Sequence, residues 1–405
     1  MNILLLRHYN PFTESGASAN RFRGLVEGLC REGHYVTIGV VGGELSKGEA
    51  TTFKHNVEGM RVCYLSHSNH YHPLWGRLNT YFFDDLIHLP VAAKGVRKLL
   101  KEQYFDIVWL TNSSSVLNLY LKTDAIIKGK TFIELNEFND IYTEEKASNF
   151  LQKRRGRKES ETFCKTIEKI DLFAVMTQTL LNYYRGMAKK DARFIHLPMT
   201  VDISRFKGVS AKVEYTKPYI AFTGTMANHK DGVDVLIQAF SRIADKYPNL
   251  HLYLAGFWHY DVPMQDKLIE EFGLQERVHR LGILSRDQIP PFVCNAEVLA
   301  LSRPDSHQAQ GGFPTKLGEY LATGKPVCVT TVGEIPLYLE DNVSAFMAEP
   351  SNVDSFADAL DRALGDKDNA LKVGHRGREV AERHFNVEFQ SKRLSDFFEN
   401  KLIDK

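Results

Sequence analysis

The sequence predicts an α/β protein built from two successive doubly wound parallel sheets. Apolar runs of strand length alternate with helical patterns along the whole chain, which is the signature of repeated βα units. The strand series restarts after Asp202, as expected if one sheet ends and a second begins. The 405 residues are enough for two domains of ordinary size, each with its own core.

In the first half the strand candidates are Asn2–Arg7, Tyr35–Val41, Met60–Ser66, Ile107–Thr111, Thr131–Leu135, Leu172–Met176 and Phe194–Leu197. The second series is Tyr219–Gly224, Leu250–Ala255, Val278–Leu281, Val298–Leu301, Val327–Thr331 and Ala345–Met347. Most are short continuous apolar runs, as strands covered by helices on both faces require. The segment PMTVDISRFK, residues 198–207, is the expected hinge. Glu379–Lys405 predicts amphipathic helices with Phe385, Phe389, Leu394, Phe397 and Leu402 as apolar positions. There is no repeat at fixed period and no low-complexity tract.

Hydrophobic content of 43% and charged content of 25% are ordinary for a globular domain. A formal net charge of +1 argues against nucleic acid as a partner. The five cysteines, Cys30, Cys63, Cys164, Cys294 and Cys328, lack paired or metal-ligand spacing and are expected to be buried, reduced thiols. The apolar run in MNILLLRHYN is too short for a signal sequence or a membrane span. The expected location is cytoplasmic, with at most peripheral contact at the inner face of the membrane.

The most informative stretch is GGFPTKLGEYLATGKP, residues 311–326. Gly311 and Gly312 let backbone approach a ligand closely. Pro314 and Thr315 suit the first turn of a helix through Leu317, Glu319, Tyr320 and Leu321, and Gly324 suits its end. The free amides of that helix start, with Lys316 beside them, form an anion site. Glu319, one turn further in, is placed to accept hydrogen bonds from a ribose diol. The expected ligand has phosphates at one end and a sugar diol at the other.

This segment resembles the donor-site signature of retaining glycosyltransferases of the GT-B architecture, in particular glycosyltransferase family 4. The family pattern is Glu, seven residues, Glu, then a Gly-x-Pro-Val-Val strand. Glu319 matches the second Glu and GKPVCV the strand, while Gly311 replaces the first Glu, which in the family touches the donor sugar. FPTKLGEY matches a branch carrying FP-Ser/Thr-K-L-x-EY. The resemblance runs from the first loop to the terminal helices and implies two Rossmann-like domains facing a central cleft. These are an acceptor-side domain over 1–202, a donor-binding domain over 203–384, and a terminal helix over 385–405 returning to the first domain.

Within that frame, Gly16 and Ala17 occupy the place of a Gly-Gly pair that approaches the donor phosphates. Lys230 matches a phosphate-binding Lys, with Asp231 inserted before Gly232, and Thr225 stands where Arg is common. Gly282 and Ile283 match a loop whose backbone frames the base. Gly311, Gly312 and Phe313 supply backbone toward the sugar. Arg303 and His307 lie on what reads as a long Gly-rich loop, facing either donor or solvent. Asn136 and Glu137 hold the place of the family's His-Glu pair; Asn hydrogen-bonds a hydroxyl but is no base near neutral pH. The resemblance implies a UDP- or GDP-linked sugar donor, a glycan or lipid-linked acceptor, no further cofactor and no metal. His67, His70 and His72 lack ligand partners at metal spacing. Lys153, Arg154, Arg155, Arg157 and Lys158 form a basic cluster that meets either solvent or anionic lipid. The alternatives to a transferase are a catalytically silent sugar-nucleotide-binding subunit and a nucleotide-sugar epimerase on the same fold.

Overall fold

In the computed structural model the described residues are 1–14, 16–42, 50–66, 89–138, 150–209, 215–216 and 218–403. The chain divides into two compact units, Met1–Leu197 with Gln390–Lys405, and Pro198–Phe389.

The first unit carries β1 (Asn2–Arg7), α1 (Ala17–Arg31), β2 (Tyr35–Val40), β3 (Thr52–Lys54), β4 (Met60–Tyr64), α2 (Leu89–Glu102), β5 (Ile107–Leu110), α3 (Ser114–Leu121), β6 (Lys130–Leu135), α4 (Phe150–Ile167), β7 (Leu172–Val175), α5 (Gln178–Arg185) and β8 (Arg193–His196). Its sheet runs β3-β4-β2-β1-β5-β6-β7-β8, parallel except for the β3–β4 pair. Because β1 pairs with both β2 and β5, the strand order reverses there, and the loop after β1 opens at the switch point. Trp109 lies 5.3 Å from both Phe22 and Phe132 by ring centroid, and Phe398 stands 4.9 Å from Phe132. Phe398 brings the last helix, α15 (Val387–Ile403), into this core. The packing of α15 on α1 is close: a Cβ on Gly28 would lie 2.1 Å from Ser391 Oγ.

The second unit carries β9 (Tyr219–Thr225), α6 (Asn228–Asp231), α7 (Val233–Ile243), β10 (His251–Phe257), α8 (Val262–Glu271), β11 (Val278–Gly282), α9 (Ile289–Cys294), β12 (Val298–Leu301), α10 (His307–Gly311), α11 (Thr315–Thr323), β13 (Val327–Thr330), α12 (Ile335–Tyr338), β14 (Phe346–Ala348), α13 (Val353–Gly365) and α14 (Lys367–Val380). All pairs are parallel, in the order β11-β10-β9-β12-β13-β14. The order reverses between β9 and β12, so the turns after these two strands flank the ligand crevice of such a sheet.

Two local differences from the sequence expectation have clear causes. β3 is three exposed residues at an edge, too short and too polar for any apolar pattern. The loop expected around His307 contains α10, because Ser306 caps it by accepting from the Ala309 N–H at 3.1 Å. Cys63 and Cys328 are buried and Cys30, Cys164 and Cys294 half-buried; all five are free thiols. Among the described residues no helix is long and apolar enough to cross a membrane.

Burial holds the imidazoles of His34, His251, His279 and His384 below their ordinary 6.5. His251 Nδ1 and His279 Nε2 are 2.9 Å apart, and Arg277 adds to the effect on His251. The unfolded chain therefore takes up protons near pH 6.5 that the native chain refuses, so stability falls as pH drops through that value. Glu319 and Asp234, pushed up by burial, act in the opposite sense. A variant comparison isolates the imidazoles. The fall in melting temperature from pH 7.5 to 5.5 should be smaller in His251→Gln/His279→Gln than in the parent; an equal fall contradicts the assignment.

Candidate anion site at the strand switch point

β9 ends in Thr223-Gly224-Thr225, where Gly224 has φ +153°. A Cβ there would lie 2.1 Å from Lys316 Nζ and 2.9 Å from Asp231 Oδ2 and would displace that pair, and the positive φ itself favours glycine. Asp231, its side chain 4% exposed, accepts from the Thr225 N–H at 3.2 Å and pairs with Lys316 Nζ at 2.7 Å. Gly232 follows in the left-handed region, and Ser302 at the end of β12 donates to its carbonyl at 2.8 Å. The turns after β9 and β12 are thus tied together beneath the crevice.

Lys316 lies over the Phe222 ring at 4.9 Å. Burial pushes its ammonium below the usual lysine range; Asp231 opposes this, while the charges of Arg303 and Lys230 reinforce it. Lys316, Lys230 and Arg303 therefore lie close enough to feel one another's charge, with Asp231 paired to Lys316 and Glu319 within its field. Arg303 is buried, and its carbonyl accepts from Thr330 Oγ1 at 2.6 Å. The structure thus resolves the two expectations for this stretch: Arg303 is an interior residue, and His307 begins α10 exposed.

Gly311, Gly312 and Phe313 are buried at the joint between α10 and α11. Phe313 packs 5.6 Å from Tyr338 and 5.4 Å from Phe385. Pro314 is the N-cap of α11, and no side chain caps the helix start that runs through Thr315 and Lys316. Tyr320 fixes α11 to β9: its hydroxyl accepts the Thr223 N–H at 2.7 Å. Gly324 ends the helix at φ +74°.

Glu319 is not free for a ligand alone, as the sequence suggested. Its Oε1 accepts from Arg205 at 2.9 Å, and Arg205 also donates to the Arg286 carbonyl at 2.8 Å. Burial pushes the Glu319 carboxyl up and Arg205 pulls it down. Arg205 sits in the 3-10 turn Ile203–Phe206 of the expected hinge segment and carries no distinguishing signal in the sequence. It links α11 to the turn after β11, which opens with Gly282 at φ +67° and the exposed Ile283.

In the first unit, Gly16 is the N-cap of α1 at φ +112°, exposed, with no atom within 4 Å of a built Cβ and no capping side chain; Ala17 is the first helical residue. Arg7 brackets this turn, bonding Glu14 at 2.6 Å and Ser18 Oγ at 3.4 Å. His8 Nδ1 lies 2.8 Å from Ser115 Oγ at the neighbouring strand end. Asn136 follows β6 half-buried, and its Oδ1 is buried without a protein partner. The Glu137 carbonyl accepts from Tyr184 at 3.0 Å. The basic cluster lies on α4, where Arg155 pairs with Glu159 at 2.8 Å. His67, His70 and His72 lie outside the described residues. Among the described residues, His229, His259 and Asp261 bring metal-capable atoms within 4.8 Å of one another.

Residues 217–366 match the family described as glycosyl transferases group 1. The chain is 23% identical over 375 residues, 90% of each chain, to an uncharacterized glycosyltransferase of Methanocaldococcus jannaschii. It is 27% identical over 214 residues to a GDP-mannose-dependent alpha-(1-6)-phosphatidylinositol monomannoside mannosyltransferase of Mycobacterium tuberculosis, covering 50% of this chain and 54% of that one. The fold superposes on sucrose-phosphate synthase of Thermosynechococcus elongatus over all of both chains, with a TM-score of 0.77 at 16% identity.

Proposed function

We propose that this chain, whose residues 217–366 match the family described as glycosyl transferases group 1, is a retaining hexosyltransferase of family 4. It moves a sugar from a UDP- or GDP-linked donor to a glycan or lipid-linked acceptor in surface polysaccharide or glycoconjugate synthesis. The observation that carries this reading is the cationic set of Lys316, Lys230 and Arg303 beside the uncapped start of α11, at the strand switch point.

Departure of a nucleoside diphosphate develops negative charge, and preorganised cations and amides stabilise it without reorganisation. Lys316 and Lys230 take that role here, with the amides of Thr315 and Lys316. Thr225, Gly311, Gly312 and Phe313 supply backbone around the donor. Asn136 offers its unclaimed Oδ1 to a sugar hydroxyl, and Glu137 stands beside it. Glu319, steadied by Arg205, holds the ribose diol, and the Gly282–Ile283 backbone frames the base. The leaving phosphate itself assists deprotonation of the acceptor, so no side chain is assigned as base, and with Lys316 and Lys230 meeting the diphosphate charge donor binding needs no metal. The mannosyltransferase relative, named for a phosphatidylinositol mannoside, supports a lipid-linked acceptor. The basic face of α4 then meets anionic lipid at the inner membrane surface.

Calorimetry with UDP, GDP, ADP, dTDP and CMP, with and without EDTA, tests the donor site. One nucleoside diphosphate should bind independently of EDTA, and Glu319→Ala should weaken nucleoside and nucleotide alike. Binding by none of them removes the reading. The second reading, a silent sugar-nucleotide-binding subunit, is favoured by Gly311, Thr225 and Asn136 standing where the family has Glu, Arg and His. It requires donor binding with no turnover.

A further inference from the structure

β10 leaves the sheet through Phe257-Trp258-His259-Tyr260-Asp261 before α8. His259 Nδ1 stands 3.1 Å from Asp261 Oδ2 and 3.3 Å from the Asp261 backbone N. His229, on the turn after β9, brings the third donor, with its ring centroid 5.3 Å from that of His259. All three donor atoms lie within 4.8 Å of one another.

The 3.1 Å between His259 Nδ1 and Asp261 Oδ2 suits a small transition metal. Bonds of about 2.0–2.1 Å at tetrahedral angles place donor atoms roughly 3.3 Å apart. Asp261 Oδ2 is also held by the Asn228 N–H at 2.7 Å, which orients the carboxylate as supporting hydrogen bonds do in metal sites. Two imidazoles and one carboxylate favour zinc-class ions over magnesium or calcium. His229 is exposed, so the cluster is reachable from solvent.

We propose that His229, His259 and Asp261 bind a zinc-class divalent ion, leaving a coordination position for water or an anion. The ion clips the turn after β9 to the turn after β10, next to Lys230. This assignment does not rest on the transferase reading.

The test uses the full chain stripped with chelator and titrated with Zn2+ against a chromogenic competitor, and with Co2+ followed by visible absorption. One equivalent should bind in the micromolar range or tighter, with a Co2+ band of tetrahedral or five-coordinate type. His229→Ala and His259→Ala should each weaken binding at least about tenfold, the lower bound for losing a group that supports a bound metal. His229→Ala removes an exposed side chain, so it keeps the test valid if the other variant folds poorly. A triple variant of His67, His70 and His72 should bind as the parent does. No stoichiometric Zn2+, or unchanged binding in His229→Ala, overturns the proposal.

Discussion

Lys316→Ala is expected to cost both stability and nucleoside-diphosphate affinity, and the two losses are separable. The substitution strands Asp231, whose side chain is 4% exposed and 2.7 Å from the ammonium it loses. Removing one partner of a buried pair costs about 3–5 kcal/mol. Losing a charge-assisted contact to phosphate costs about 1.5–3 kcal/mol, or roughly 10- to 150-fold in affinity. Nucleoside affinity should hold, since no phosphate is involved. Adding Asp231→Asn removes the stranded charge and keeps an acceptor for the Thr225 N–H, so the double variant should regain most of the stability. It should not regain diphosphate affinity. Urea denaturation and calorimetry on the same preparations decide this. A double variant that binds diphosphate like the parent would reduce Lys316 to a neutraliser of Asp231.

Gly256→Ala is expected to be the most damaging single methyl in the second unit. Gly256 has φ +146°, and its Cβ would lie 1.6 Å from the Gly224 carbonyl oxygen and 2.7 Å from its carbon. These residues face each other in the β9–β10 ladder, so the strands must part where Gly224 makes room for Lys316. A loss above about 4 kcal/mol, in the exceptional range for one substitution, should result. Gly282→Ala is the control. Its φ is +67° with no atom within 4 Å, so it costs only the left-handed conformation, about 1–2 kcal/mol. Equal losses in the two variants, measured by urea denaturation, would show that the close approach of Gly256 and Gly224 has no consequence.

The strands were legible because parallel strands covered on both faces are continuous apolar runs, as NILLLR and VLAL are. β3 escaped because an exposed edge of three residues needs no such run. Helix α11 was legible in FPTKLGEYLATG, where Pro314 and Gly324 mark its two ends. Lys316 was legible as a cation at a helix start, but its partner was not. Asp231 looked like an insertion in a Lys-Gly motif, and the pairing of residues 231 and 316 is made only by the β9/β12 reversal. Arg205 and Glu319 lie 114 residues apart, a separation at which no local pattern signals contact. The glycines at 224 and 256 are ordinary strand ends in sequence; their necessity is visible only in the atoms a Cβ would meet.

The central claim is sugar transfer from a nucleotide diphosphate with retention at the anomeric carbon. The most direct measurement is early-time proton NMR of any sugar released when the protein is incubated with the donor that calorimetry selects. An α-linked donor should release the α-anomer first, with the β-anomer growing in only by mutarotation, and the Lys316→Ala/Asp231→Asn variant should release it far more slowly. Initial release of the β-anomer would contradict retention, and a donor bound but never cleaved, with or without glycan acceptors, would contradict catalysis itself.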